Sequence, residues 1–166
     1  NGAEGVAPSA RAAAGQVWTD QQQLQDHPTP RALRTEELSR VRDEFVASAK
    51  LAIDAGFDGV ELHGANGYLL EQFLHPQANQ RTDGYGGSVE NRARFVLEVA
   101  RAVADAIGAE RTALRLSPWG VNGDLPHYAE IDEPYAYLAA GLQQIDLVYL
   151  HQVNHQSMGA PAVPAQ

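Results

Sequence analysis

Phe57-Asp58-Gly59-Val60-Glu61-Leu62-His63-Gly64-Ala65-Asn66-Gly67-Tyr68 is followed by Asn79-Gln80-Arg81-Thr82-Asp83-Gly84-Tyr85-Gly86-Gly87-Ser88 and then Glu90-Asn91-Arg92. A short apolar strand, a histidine, an amide and a phenol at its exit, and a glycine-rich helix entry thus fall within one segment. Gly59 to His63 predicts a strand. Ser88 predicts the N-cap of a helix reaching Ile107, with Phe95, Val99 and Val103 on one face and Gly108 as its stop. Upstream, Thr35 is the expected N-cap of another helix with Glu36 and Glu37 in its first turn; Leu38, Val41, Phe45, Ala49 and Ala52 recur at helical spacing until Gly56. Downstream, Thr112 to Leu116 predicts a strand, Asp132 and Pro134 start a third helix, and Ile145 to His151 predicts a third strand. Alternation of this kind predicts an α/β protein with a parallel sheet and helices packed outside it, either an open doubly wound sheet or a closed eight-fold barrel. Residues 1–34, rich in Ala, Gly, Gln and Pro, are expected to be an irregular surface excursion. Residues 35–151 form the alternating core, and 152–166 a loop tail.

Successive strand residues point to opposite faces, so the alternation sorts the side chains. Val60 and Leu62 share one face and Glu61 and His63 the other. Leu114 and Leu116 lie opposite Ala113, Arg115 and Ser117, and Val148 and Leu150 opposite Leu147, Tyr149 and His151. One face is aliphatic, as packing against helices requires, and the other gathers Glu61, His63, Arg115, Tyr149 and His151. An arginine inside a sheet protein without compensation costs several kcal/mol, so Arg115 is expected to meet an anion, a carboxylate or a polar ligand.

Composition narrows the partners. The 166 residues carry a net charge of -9, with 12 Lys and Arg that never cluster, which argues against nucleic acid or an anionic membrane as the main partner. With 44% hydrophobic and 20% charged residues the chain has globular proportions. It contains no cysteine, so disulfides and thiolate metal sites are excluded on it, and a reducing, cytoplasmic setting is the expectation. No run of about 18 apolar residues and no basic-then-apolar leader occurs, so no membrane span or export signal is expected.

Three groups of residues together carry a family resemblance: His63-Gly64-Ala65-Asn66-Gly67-Tyr68-Leu69, the Asn79 to Ser88 loop leading into Glu90-Asn91-Arg92-Ala93-Arg94-Phe95, and Leu114-Arg115-Leu116-Ser117-Pro118. They resemble the Old Yellow Enzyme family of FMN-dependent ene-reductases. Ala7-Pro8-Ser9, Thr29-Pro30-Arg31-Ala32-Leu33 and Tyr149-Leu150-His151 extend the resemblance over nearly the whole chain. It implies a TIM (β/α)8 barrel, of which this chain would supply about strands 4 to 6 with their helices. It further implies that His63 and Asn66 bind the carbonyl oxygen of an α,β-unsaturated substrate, that Tyr68 donates a proton to the α-carbon, and that Arg115 contacts the flavin. Asn66, where some relatives carry a second histidine, resembles the classical branch of the family and not the thermophilic-like one. The implied reductant is NADPH, or NADH.

Blander readings stand beside these. A lone histidine at a strand end is usually structural, and His63 gains its weight from Asn66, Tyr68 and Arg115 in register. Gly84, Gly86 and Gly87 resemble a phosphate cradle but lack the P-loop lysine, so they are expected to form a structural turn braced by Arg81 and Asp83. His75, His127 and His155 show no ligand spacing and are expected to be solvated, and Glu130, Asp132 and Glu133 are expected as helix-start charges, with no metal bound. His151 is balanced between structural and flavin-proximal roles.

A complete barrel needs about 250 residues, so the resemblance also implies an incomplete domain, cut from a longer gene and lacking most of what holds FMN. Two alternatives to the reductase follow: a non-catalytic half-barrel that self-associates or needs a complementary partner, and a TIM-barrel lyase or isomerase using Glu61 and His63 on a phosphorylated substrate anchored by Arg115.

Overall fold

A computed structural model of the chain describes residues 4–21, 23–156 and 162. Its core is a three-stranded parallel sheet in the order β5 (Val60–Gly64), β6 (Thr112–Leu116), β7 (Tyr149–Gln152). The connections are α-helical: α2 (Leu69–Leu74) and α3 (Val89–Ile107) between the first two strands, α4 (Asp132–Gln143) between the last two, with α1 (Leu38–Asp54) entering β5. This is an arc of a parallel α/β barrel, with β5 and β7 each unpaired along their outer edges among the described residues.

The largest packing element is α3. Phe95, Val96, Val99 and Val103 recur at helical spacing and are fully buried, and the helix packs against α1, α2 and α4. Phe73 of α2 meets Phe95 with ring centroids 4.5 Å apart. On the helix-facing side of the sheet, Leu62 and Leu114 are buried. Ser88 caps α3 as expected, its hydroxyl accepting from the Asn91 amide at 3.3 Å, and Gly108 ends it at φ 100°.

Five local expectations need correction. Thr35 does not cap α1: Arg34 precedes a 3-10 turn at Thr35–Glu37, the Glu37 carboxylate accepts from the Arg34 amide at 2.8 Å, and the Thr35 hydroxyl turns instead to Asp83. The N-terminal residues are more than an excursion, because β1 (Val6–Ala7) pairs in parallel with β4 (Arg31–Ala32), and β2 (Gln16–Trp18) forms an antiparallel hairpin with β3 (Leu24–Asp26). Strands of two or three residues are too short to leave a periodic trace in sequence. The six-residue helix α2 was not expected at all. The third strand begins at Tyr149, not Ile145: Asp146 sits at φ 62°, Leu147 packs into the core, and Val148 before the strand and Leu150 within it are half-exposed. Finally, His75 and His155 are buried, where solvation was expected; only His127 is exposed.

The loop between α2 and α3 is braced as its composition implied. Arg81 Nε donates to Asp83 Oδ1 at 3.0 Å, and an Arg81 Nη donates to the Pro8 carbonyl at 3.1 Å, which ties the N-terminal segment down. Arg81 holds Asp83 well below the usual carboxylate range. Gly86 lies so close to the Arg81 backbone that no side chain fits there, which explains the glycine without invoking phosphate.

Candidate active site

The parallel pairing sets His63, Arg115 and His151 side by side across the three strands, and Glu61, Ala113 and Tyr149 side by side two residues earlier. The polar face expected from alternation is therefore one surface, at the carboxyl ends of the strands where parallel barrels hold their ligands. A concavity of about 760 Å³ opens there, lined among others by Asn66, Tyr68, Gln72, Arg115, Asn122 and His155. His63 stands outside that lining and is exposed, with its ring 5.0 Å from that of Tyr68.

Asn66 is held by an Asn-Gly turn. Asn66 at φ 59° and Gly67 at φ 78° are consecutive left-handed residues, and the Tyr68 amide donates to the Ala65 carbonyl at 3.2 Å. Two successive positive φ values define a type I′ turn, for which Asn-Gly is the favoured pair. A Cβ on Gly67 would come within 2.6 Å of the Asn122 carbonyl, so the glycine also lets a second loop approach.

Three of the four buried side-chain atoms found without a partner among the described residues belong to groups lining this concavity: Asn66 Oδ1, Arg115 Nε and His155 Nδ1. Buried polar atoms normally find a partner, so Asn66 and Arg115 mark a place built for a polar ligand. Rotation of the Asn66 amide exchanges its oxygen and nitrogen, so the position can offer a donor or an acceptor. Arg115 forms no ion pair among the described residues, and the carboxylate on the same sheet face is engaged elsewhere: Glu61 Oε2 lies 3.0 Å from His151 Nδ1. Glu61 therefore engages His151, not His63.

Sequence reading missed four contributors. Glu71 is buried with three donors on its carboxylate: the Gly67 amide at 2.6 Å, the Ser117 hydroxyl at 2.6 Å and the Tyr135 hydroxyl at 2.9 Å. Burial pushes its pKa up, against the opposing pull of the three donors, and burial beside Glu71 pushes the Tyr135 hydroxyl well above its ordinary value. Gln72 donates to the Gly67 carbonyl at 2.7 Å. Ala13 and His27 of the N-terminal segment also line the concavity. The one signal available for Glu71 was an acidic residue three positions after Tyr68, the spacing of a helix first turn; nothing in sequence pointed to Ala13 or His27. Among the described residues no cluster of three or more His, Asp or Glu is placed to hold a metal, and no helix is long and apolar enough to cross a membrane.

Asn66, Tyr68 and Arg115 line one concavity at the carboxyl ends of the strands, with His63 beside Tyr68 at its edge, and a strand-end concavity on parallel strands with helices outside them defines the class as a TIM-barrel type of fold. The family described as NADH:flavin oxidoreductase / NADH oxidase matches residues 3–161, and the chain belongs to this family, the Old Yellow Enzyme family. It is 45% identical over 125 residues to chanoclavine-I aldehyde reductase of Penicillium roqueforti, covering 75% of this chain and 33% of that protein. To enoate reductase 1 of Kluyveromyces lactis it is 54% identical over 111 residues, covering 66% of this chain and 28% of that one. Among solved structures, the Old Yellow Enzyme homologue of Zymomonas mobilis superposes with a TM-score of 0.87 at 39% identity over 91% of this chain and 42% of its own. The chain thus spans about a third of the length of these curated relatives.

Proposed function

We propose that this chain carries the substrate-activating face of an FMN-dependent ene-reductase that reduces the activated C=C bond of α,β-unsaturated carbonyl compounds with NADPH or NADH. The observation that carries the reading is the pair of buried, unpartnered groups, Asn66 Oδ1 and Arg115 Nε, lining one concavity with Tyr68. That pair fits a flavin and its substrate: a cationic guanidinium suits the negative charge of a reduced isoalloxazine, and the Asn66 amide, turned to present its NH2, suits a carbonyl oxygen. Bound FMN would supply the hydride that reaches the β-carbon. The protein's part is then electrostatic and protic. His63 and Asn66 hold the substrate carbonyl and draw electron density from the alkene, and Tyr68, 61% exposed at the head of α2, holds its hydroxyl proton ready for the α-carbon. One hydride and one proton complete the reduction. A cytoplasmic setting accords with an NAD(P)H-fed enzyme on a chain without cysteine.

A second reading draws on the sheet edges. Tyr149 and Leu150 of β7, with Val148 just before it, are each about half exposed, and an uncovered parallel edge is a template for pairing. In this reading the chain is a non-catalytic half-barrel that associates with itself or with a complementary half. One experiment separates the two: mix the purified chain with FMN, remove free flavin, and follow NADPH oxidation with 2-cyclohexenone. The reductase reading expects a retained, spectrally perturbed flavin and enone-dependent turnover that falls about 100-fold or more in Tyr68→Phe with flavin still bound. Flavin that washes away refutes it for this chain and supports the half-barrel.

A further inference from the structure

The Asn66-Gly67 turn meets a buried carboxylate from α2. Glu71 is 6% exposed and has no cationic partner among the described residues; its carboxylate is held by neutral donors from three parts of the fold. Oε2 takes the Gly67 amide directly. Oε1 takes the Ser117 hydroxyl from the end of β6 and the Tyr135 hydroxyl from α4. Ser117 Oγ in turn accepts the Asn66 amide at 2.8 Å. Both central backbone amides of the Asn66-Gly67 turn are thereby drawn into one network around a buried carboxylate, while Asn66 and Gly67 both line the concavity.

We propose that Glu71 is a positioning residue of this site, fixing the Asn66-Gly67 turn and hence the direction of the Asn66 amide, by binding Gly67 directly and Asn66 through Ser117. The geometry is economical because a carboxylate is acceptor-only: all three neighbours must donate, which fixes the Ser117 proton toward Glu71 and leaves a Ser117 lone pair for Asn66. The Asn-Gly pair favours the turn locally, and the network around Glu71 ties that turn to the rest of the fold. Glu71 also couples the turn to α4 through Tyr135, so the substrate-facing amide is referenced to the helical layer as well as to the strand that carries it. The assignment rests on Asn66 being the carbonyl-binding group, but its first test does not.

The test compares the unchanged chain with Glu71→Ala and Glu71→Gln. Amide hydrogen exchange by NMR reads Asn66 and Gly67, with Val96 and Val103 of α3 as internal controls, and KM and kcat for 2-cyclohexenone are read on the flavin-loaded protein. Glu71→Ala removes the charged acceptor of the Gly67 amide and the anchor that orients Ser117 for the Asn66 amide, so exchange should speed by about 10-fold or more at Gly67 and rise at Asn66 as well, with the α3 amides unmoved. KM should rise by about 10-fold with flavin retained. Glu71→Gln keeps an oxygen for the Gly67 amide but sets an NH2 against the Ser117 and Tyr135 hydroxyls, so it should restore protection at Gly67 while Asn66 still exchanges faster than in the unchanged chain. Should Glu71→Ala lose α3 protection, the isosteric Glu71→Gln decides. Unchanged exchange at Asn66 and Gly67, or a loosened turn with unchanged KM, overturns the assignment. Absence of enone turnover with every residue at position 71 sinks the reductase reading, and the exchange rates still decide whether Glu71 holds the turn.

Discussion

Replacing Arg115 by methionine should move flavin affinity and stability in different directions, and the sizes follow from its surroundings. Arg115 Nε is buried without a partner, the guanidinium has no ion pair among the described residues, and the side chain as a whole is only partly buried. A buried donor left unmade costs about 1–3 kcal/mol. Because only part of this guanidinium is dehydrated, the low end applies, and Arg115→Met should leave the unliganded chain as stable as before or up to about 1 kcal/mol more stable. Methionine fills much of the same length with a flexible apolar stem, so no sizeable cavity opens. Binding moves the other way. A hydrogen bond between an ionised donor and a flavin acceptor is worth about 1.5–3 kcal/mol, so the dissociation constant for FMN should rise by about 10- to 150-fold. Urea unfolding without flavin gives the first quantity, and quenching of FMN fluorescence on titration gives the second. An unchanged dissociation constant would refute the placing of Arg115 against the flavin. A loss of about 2 kcal/mol or more in the unliganded chain would show that the guanidinium has a structural partner, and would remove the premise.

Two further outcomes bear on the scaffold. Gly67→Ala places a Cβ 2.6 Å from the Asn122 carbonyl at a backbone φ of 78°, so urea unfolding should show a loss of at least about 1–3 kcal/mol, whereas Asn66→His, a residue that tolerates the left-handed region, should cost less. Glu37 is held down to about 2 from the ordinary glutamate value of 4.5, chiefly by the Arg31 guanidinium at 2.7 Å and then by the Arg34 amide. A depressed carboxylate contributes stability that is complete above the ordinary value and is lost as pH falls toward the folded one. Stability measured by denaturant should therefore drop between about pH 4.5 and pH 2, and Glu37→Gln should flatten that drop.

Much of this site was legible because its residues lie on periodic elements. Alternation along β5 and β6 put His63 and Arg115 on one face, and the observed register sets them directly opposite each other. The Ser88 cap and the apolar stripe of α3 were equally readable, since both are local rules of helix geometry. Where the reading failed, long-range contacts had overridden local signals. Thr35 has the chemistry of a cap, yet Asp83, 48 residues away, takes its hydroxyl. His155 has no neighbour in sequence to desolvate it, yet it is buried with Nε2 against Asn122 at 3.2 Å.

The amino-acid sequence alone determined the alternating α/β order and which side chains share the polar and the apolar faces of the strands, because strand and helix periods are properties of a few consecutive residues. Only the tertiary structure decided what holds those groups in place. Glu71, Ser117 and Tyr135 come from α2, the end of β6 and α4, and they meet around two backbone amides that no spacing in the chain relates. The same holds for the walls of the concavity, where Ala13 and His27 reach Asn66 only because Arg81 and Asp124 tie the N-terminal segment across the fold. Burial and hydrogen-bond geometry depend on which surfaces pack together, and that is settled by the fold as a whole and not by any one stretch of it.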